Sequence, residues 1–493
     1  MTTERSEGDV MNATKLIPVL LAAALLSGCS LFGRGGGTAP AATKASGAPG
    51  VARYDGPESK TVSLVYTTKR ELSLTFDGMA DKDAMERLLN ELDAYGIKAT
   101  FFLPGMRVAE EPDIAKDILA RGHEIENNTL SRLDAAKLTY AETYREIKLG
   151  GDVIARKTGA APRYVRTMSG AITDDVRLAA AQSGLRAVVG SSLFLHNWKD
   201  ETPLQKRNYI RKYINRGGVL ELDTEENRTM EEDVKLIAEG AKRAGYGFVT
   251  LDRLVRDGGE RKPLEQIPGW DAAKINSDYA EADYNVMSNK AGDAKKEVVL
   301  SFDDWGTDET VTPILDTLAK YGVKASFFLR ADGVERNPNL ARAIAEGGHD
   351  VGNHTYSHPV ITSVTPEQLQ EEIVKAHRII TEAIQAKPAM IFRPPTGEFD
   401  AETLKAVGAT GYRDVAIFDV TPDDFVKTRT AAQIAQAVKA QTKSGSVVLL
   451  HMLDDIQTVH ALPAIIGELR AEGFAFVRMS ELMGAGAPKR TAS

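Results

Sequence analysis

The stretch Glu297-Val298-Val299-Leu300-Ser301-Phe302-Asp303-Asp304 reads as an apolar strand that ends in two carboxylates, and the chain contains it twice. Its counterpart, Glu71-Leu72-Ser73-Leu74-Thr75-Phe76-Asp77-Gly78, lies 226 residues earlier. The same offset aligns Tyr95-Gly96-Ile97-Lys98-Ala99-Thr100-Phe101-Phe102-Leu103 with Tyr321-Gly322-Val323-Lys324-Ala325-Ser326-Phe327-Phe328-Leu329. It also aligns Gly122-His123-Glu124 with Gly348-His349-Asp350. Arg166 and Arg393 are 227 apart, as are Gly184 and Gly411. A register held this closely indicates two related domains.

Each copy alternates short β-rich runs with helical patterns. In the second, the sequence predicts strands at 297–302, 324–329, 389–393, 414–420, 446–451 and 474–478. A helix is predicted over Pro366–Ile384, with Thr365 as its cap, Pro366 in the first position and Gln368 three residues after the cap. Leu404–Val407 and Ile434–Ala440 show apolar spacing of three and four. Strand–helix alternation implies an α/β fold with a mainly parallel sheet and helices outside it. The number of units suits two tandem small, distorted (β/α) barrels better than complete eight-fold ones.

The chain has 493 residues, 43% hydrophobic and 26% charged, an ordinary globular composition. A net charge of −8 argues against a nucleic-acid partner. The single cysteine excludes an internal disulfide and any cysteine-cluster metal site. That cysteine, Cys29, closes the sequence Leu26-Ser27-Gly28-Cys29 after an apolar run, Leu16–Leu26, that is too short to span a bilayer. With Lys15 before it, the segment resembles a bacterial lipoprotein signal, with Met11 as an alternative start to Met1. The expectation is export and membrane anchoring through a lipid on Cys29, at the outer membrane or facing the periplasm if the source is Gram-negative. Gly, Ala, Pro and Thr dominate residues 34–50, a flexible tether. The predicted organisation is a signal at 1–29, a linker at 30–58, a first domain at 59–258, an inter-domain linker at 259–294, a second domain at 295–486 and a tail at 487–493.

Five clusters in the second copy fall at or after predicted strand ends, where barrel folds place their active sites. Asp303 and Asp304 would repel each other unless a cation or proton lies between them. In His354-Thr355-Tyr356-Ser357-His358, two imidazoles lie four residues apart, and on a helical turn they would point the same way. Two histidines and one carboxylate make a metal site with positions left open for water and substrate. Arg393-Pro394-Pro395-Thr396-Gly397 offers a guanidinium that can orient a carboxylate through a bidentate contact. Asp419-Val420-Thr421-Pro422-Asp423-Asp424-Phe425 adds further acids, and Val447-Val448-Leu449-Leu450-His451 ends an apolar strand in a histidine. His377 and His460 lie on helical stretches and read as surface residues.

In this order the five motifs resemble those of the polysaccharide deacetylases of the NodB-homology type, carbohydrate esterase family 4, over residues 295–485. The resemblance implies a distorted (β/α) barrel and a metal held by Asp304, His354 and His358. It implies Asp303 as the base, Arg393 as its orienting partner, His451 as the acid and Asp424 as the carboxylate that tunes it. The ligand set suits zinc, with cobalt or another first-row metal as the alternative. The implied activity is hydrolysis of N-acetyl groups on an envelope or extracellular glycan, and Tyr356 is a candidate backbone donor to the oxyanion. Trp305-Gly306 stands where the family usually has Gly-Pro, and Phe425 where it usually has Trp, departures that bear on groove shape. The rival readings are hydrolysis of another C–N amide on the same fold and a non-catalytic glycan-binding lipoprotein.

The first copy reads as degenerate. Asp77 keeps the position of Asp303, but Gly78 replaces Asp304, Asn128 replaces His354 and Arg132 replaces His358. Asn197 stands at the position of Asp424 and Asp223 at that of His451, while Arg166 keeps the place of Arg393. Without the three ligands, no hydrolytic activity is expected from it.

Overall fold

Val298, Val299 and Leu300 are all fully buried, so the strand Glu297–Asp304 has apolar neighbours on both faces. Such continuous runs belong to parallel sheets covered by helices on both sides. The computed structural model describes residues 50–195, 201–290 and 295–484. The signal, Cys29, most of the tether and Asn197 lie outside the described residues. Among the described residues, no helix is long and apolar enough to cross a membrane.

Two sheets are present in the unit Val51–Ser493. The second has the order Asn285–Met287, Asp414–Ala416, Ile391–Phe392, Asp350–Asn353, Ser326–Leu329, Glu297–Asp304, Ser446–His451, with Ala475–Phe476 also paired to Glu297–Asp304. The first runs Lys60–Val62, Ala187–Val189, Tyr164–Val165, Glu124–Asn127, Thr100–Leu103, Glu71–Asp77, Val219–Asp223, Leu193–Leu195, with Gly247–Phe248 paired to Glu71–Asp77. Named strands pair in parallel throughout, for example Asp303 with His451 and Asp77 with Asp223. These are the two open, barrel-like α/β sheets that the duplication and the resemblance imply.

Of the stretch 259–294, expected as a linker, the described part, 259–290, packs into the second domain. Asn285–Met287 forms the sheet edge against Asp414–Ala416, as Lys60–Val62 does against Ala187–Val189 in the first copy. Ile267 and Ala273 are buried as well. Three residues of strand are too few to give a periodic signal, so the sequence shows only turn formers there.

The helix Pro366–Ile384 begins as its sequence predicts. Thr365 accepts from the Gln368 N–H, and the Gln368 side chain accepts from the Thr365 N–H. A cap of this kind stabilises by about 1 kcal/mol. Its core face carries Leu369, Ile373, Ala376 and Ile380, and also His377. His377 is therefore not a surface residue. It is fully buried, with Nδ1 2.8 Å from the Tyr412 hydroxyl and Nε2 2.9 Å from the Gly269 carbonyl. Its spacing of four from Ile373 places it on the apolar face, and two polar partners satisfy the ring. His460 is exposed.

Candidate active site

Successive side chains of a strand face opposite ways, so Asp303 and Asp304 on a regular strand would not share a site. Asp304 adopts φ 74°, in the left-handed region, and both carboxylates then line one cavity of about 480 Å³. That backbone conformation costs a non-glycine residue roughly 1–2 kcal/mol. Gly78 in the first copy has φ 80°, so the turn is a feature of both copies.

The segment His354–His358 is a loop after the strand Asp350–Asn353, not the helical turn that the spacing suggested. The Asn353 side chain accepts from the Thr355 N–H at 2.9 Å, and the Thr355 hydroxyl accepts from the His358 N–H at 3.0 Å. Thr355 and His358 both have positive φ, 65° and 66°. This tight loop sets the two imidazole centroids 4.9 Å apart. His354 Nδ1 lies 2.8 Å from the Arg393 carbonyl. A carbonyl only accepts, so Nδ1 carries the proton and Nε2 keeps a free lone pair. Burial holds His354 well below its ordinary pKa and keeps it neutral, the form that ligates metals. His358 Nε2 is 3.3 Å from Asp304 Oδ1. One donor atom from each of Asp304, His354 and His358 lies within 4.8 Å of the others. Two imidazoles and a carboxylate at this separation fit a divalent cation.

Beside them, Asp303 is buried and Arg393 fully so. Arg393 Nη1 donates to Asp303 Oδ1 at 2.8 Å and to the Ser301 hydroxyl at 2.8 Å. Its Nε and Nη2 donate to the carbonyls of Ala416 and Ile417. The contact with the carboxylate is thus single, not bidentate, because the rest of the guanidinium is spent on the ends of a neighbouring strand. Burial raises the pKa of Asp303, while Arg393 and His451 act in the opposite direction. His451 Nδ1 faces Asp424 Oδ1 at 2.7 Å, and Thr458 donates to the other oxygen of that carboxylate at 2.6 Å. The ring of Phe425, half exposed, meets His451 edge-on at 5.4 Å. Asp423 lines the cavity and pairs with Arg429, whereas Asp419 accepts from Ser446 and the Val447 N–H and is structural.

Two further expectations change. The Tyr356 N–H donates to Glu372 Oε2 at 3.0 Å and is already engaged. Trp305 does not line this cavity. It packs over Gly333, where an added Cβ would meet its ring at 2.2 Å, and lines a second cavity between the two domains.

The first copy keeps the scaffold and loses the chemistry. Arg166 donates to Asp77 at 2.9 Å and to Thr75 at 2.8 Å, and its other donors reach Val189 and Gly190, as Arg393 does in its own copy. Asn128 Nδ2 donates to the Arg166 carbonyl at 2.9 Å, standing in for His354 Nδ1. Thr129 and Arg132 repeat the positive φ of Thr355 and His358. Arg132 then fills the ligand space, pairing with Asp223 at 2.6 Å and Glu225 at 2.7 Å. A guanidinium in this place repels a metal cation.

Four residues that hold the site together carry no chemical signal of their own in the sequence: Ser301, Asn353, Thr355 and Glu372. Each has a partner at the same offset of 226, namely Thr75, Asn127, Thr129 and Glu146. Glu146 binds Ser131 as Glu372 binds Ser357. The repeat itself carried this signal.

The family profile of polysaccharide deacetylases matches residues 65–188 and 290–415. A peptidoglycan-N-acetylglucosamine deacetylase of Bacillus cereus is 35% identical over 193 residues, which are 38% of this chain and 89% of the relative. The peptidoglycan-N-acetylglucosamine deacetylase PgdA of Listeria monocytogenes is 29% identical over 43% of this chain, and the match spans 44% of that relative's length. Among solved structures, the Bc1960 peptidoglycan N-acetylglucosamine deacetylase is 32% identical over 41% of this chain and 92% of its own, with a TM-score of 0.38. Matched by the family profile in both halves, the chain belongs to the polysaccharide deacetylase family.

Proposed function

We propose that the second domain hydrolyses N-acetyl groups on an envelope or extracellular polysaccharide, releasing acetate and leaving a free amino sugar. The observation that carries this reading is the convergence of Asp304, His354 and His358 next to the Arg393-bound Asp303 and the Asp424-bound His451 in one cavity. A divalent ion held by the three ligands supplies polarisation of the acetyl carbonyl and a water of lowered pKa. Zinc suits the donor set, and cobalt or another first-row metal can replace it.

In this reading Asp303 takes the proton of the attacking water, and Arg393 fixes which carboxylate oxygen does so. His451, its Nδ1 proton held by Asp424, gives a proton from Nε2 to the departing nitrogen. The names of the relatives support peptidoglycan as the polymer. Export and a lipid anchor at Cys29 belong to the same proposal and rest on the sequence alone. The first domain, with Arg132 in the ligand space, takes no part in the chemistry.

The test is acetate release from an N-acetylated chitooligosaccharide and from peptidoglycan by the purified chain and by His354→Ala and His358→Ala. Both variants should lose metal and activity together. Full turnover by either at native metal occupancy would reject the assignment.

A further inference from the structure

Two arginines of the first domain reach the loops that follow Asp304 and His451. Arg216, almost fully buried, places Nε 3.2 Å from Asp308 Oδ1, and its Nη2 donates to the Thr312 hydroxyl at 2.8 Å. Asp308 opens the helix Asp308–Tyr321, and only Trp305-Gly306-Thr307 separates it from Asp304. Asn337 donates to the other oxygen of Asp308, which is itself buried. Arg211 lies 2.8 Å from Asp455, 3.5 Å from Asp454 and 3.6 Å from Glu309.

Asp454 is three residues beyond His451. Its Oδ1 accepts from the Thr307 N–H at 3.1 Å, the Thr307 hydroxyl at 2.9 Å and the Thr310 hydroxyl at 2.5 Å. At Gly306 an added Cβ would lie 1.9 Å from the Met452 carbonyl, so the two loops touch backbone to backbone. Met452 N–H in turn donates to the Asp303 carbonyl at 3.2 Å. The loop after the candidate ligand and the loop after the candidate acid are therefore tied to each other, and their outer side is closed by arginines of the other domain.

We propose that Arg211 and Arg216 are positioning residues, through which the degenerate first domain fixes the separation of Asp304 and His451 in the second. This rests on the reading of the second domain as a deacetylase. An acid and a metal site act together only at a fixed spacing, and small displacements lower the rate steeply. It also gives the first domain a use that needs no chemistry of its own: two sets of inter-domain ion pairs, Arg216 with Asp308 and Arg211 with Asp454, Asp455 and Glu309, end beside the loops of the site.

The experiment compares the full chain with Arg211→Gln, Arg211→Lys, Asp454→Asn and the double variant Arg211→Gln/Asp454→Asn. Arg211 is chosen because it is partly exposed, whereas removing Arg216 would strand the buried Asp308 and risk the fold. Metal content, kcat and KM for an acetylated chitooligosaccharide, and amide hydrogen exchange at 305–308 and 452–455 are measured. Arg211→Gln should keep metal and KM, lower kcat about tenfold and speed exchange in both loops. Arg211→Lys should recover most of the loss, and the double variant should be no worse than the worse single one. Unchanged kcat and exchange in Arg211→Gln, or fully additive losses in the double variant, would overturn the proposal. If the unaltered chain releases no acetate, the deacetylase reading fails, and the exchange measurement still decides whether Arg211 holds the loops.

Discussion

Asp424 holds His451 twice: Oδ1 faces the ring Nδ1 at 2.7 Å and Oδ2 accepts the backbone N–H of the same residue at 2.7 Å. One buried carboxylate thus fixes both the orientation of the imidazole and its charge. Burial works to lower the His451 pKa, but the hydrogen bond and charge of Asp424, with Asp303 and Asp304, raise it on balance. A general acid must be protonated, so activity falls as pH rises through this raised value. Asp424→Asn removes the charge and lowers the His451 pKa. The basic limb of the kcat/KM profile should move to lower pH, and kcat should lose part of the roughly 10²–10⁴-fold that a positioned acid contributes. A basic limb that stays in place would separate His451 from the acid role.

Asp303→Asn should keep the metal and lose most of the rate. The substitution leaves Asp304, His354 and His358 in place but removes the proposed base, an expected loss of about 10²–10⁴-fold. Metal analysis and acetate release on the same preparation check this. Loss of metal and fold together would make Asp303 a structural residue.

In the first domain, Gly78→Asp should destabilise. A Cβ there would lie 2.6 Å from Arg132 Nη1 and 3.0 Å from the Glu225 side chain, and Arg132 is pinned by its two ion pairs. Overpacking of this kind costs about 1–3 kcal/mol, read as a fall in the unfolding midpoint. Gly78→Asp/Asn128→His/Arg132→His removes the obstacle and rebuilds the ligand set on a backbone that already has the same φ pattern. That variant should bind one more divalent ion than the unaltered chain. Equal metal content in the two would show that the scaffold differs in more than its side chains.

The motif Gly-His, repeated at His123 and His349, makes stability depend on pH. Each Nδ1 accepts a backbone N–H at 3.1 Å, from Ala99 and Ala325 respectively, so each ring must stay neutral there. Burial pushes both down to about 4. The unfolded chain binds these protons more readily, near pH 6.5. Stability is therefore fully present above pH 6.5 and is lost as pH falls toward 4. From pH 7 to pH 5 the loss is roughly 2 kcal/mol per histidine. Denaturant unfolding at the two pH values, with His123→Gln/His349→Gln as the comparison, should show a smaller pH effect in the variant. An equal pH effect in both would place the sensitivity elsewhere.

What the sequence discloses here follows the range of the interactions. The strand Glu297–Asp304, the cap at Thr365 and the repeat at offset 226 depend on neighbouring residues, and all were legible. The left-handed turns at Asp304, Thr355 and His358 were not: the Asp304 carbonyl accepts from the Arg330 N–H of the neighbouring strand's end, and the Asn353 side chain that turns Thr355 is itself anchored to the Ile373 carbonyl twenty residues on. The same holds for Tyr356, whose N–H is taken by a glutamate sixteen residues on, and for Arg393, whose extra donors go to carbonyls of Ala416 and Ile417. The burial of His377 is legible, since its helical spacing places it with Ile373 and Ile380.

If the proposed chemistry holds, one metal site, in the second domain only, drives deacetylation. The most direct measurement strips the purified chain with a chelator, counts bound divalent ions and follows acetate release as zinc is added back. The stripped chain should release no acetate, with activity returning in proportion to occupancy and reaching its maximum at one ion per chain. Acetate release that persists in the metal-free chain, or that needs a second tightly bound ion, would contradict it.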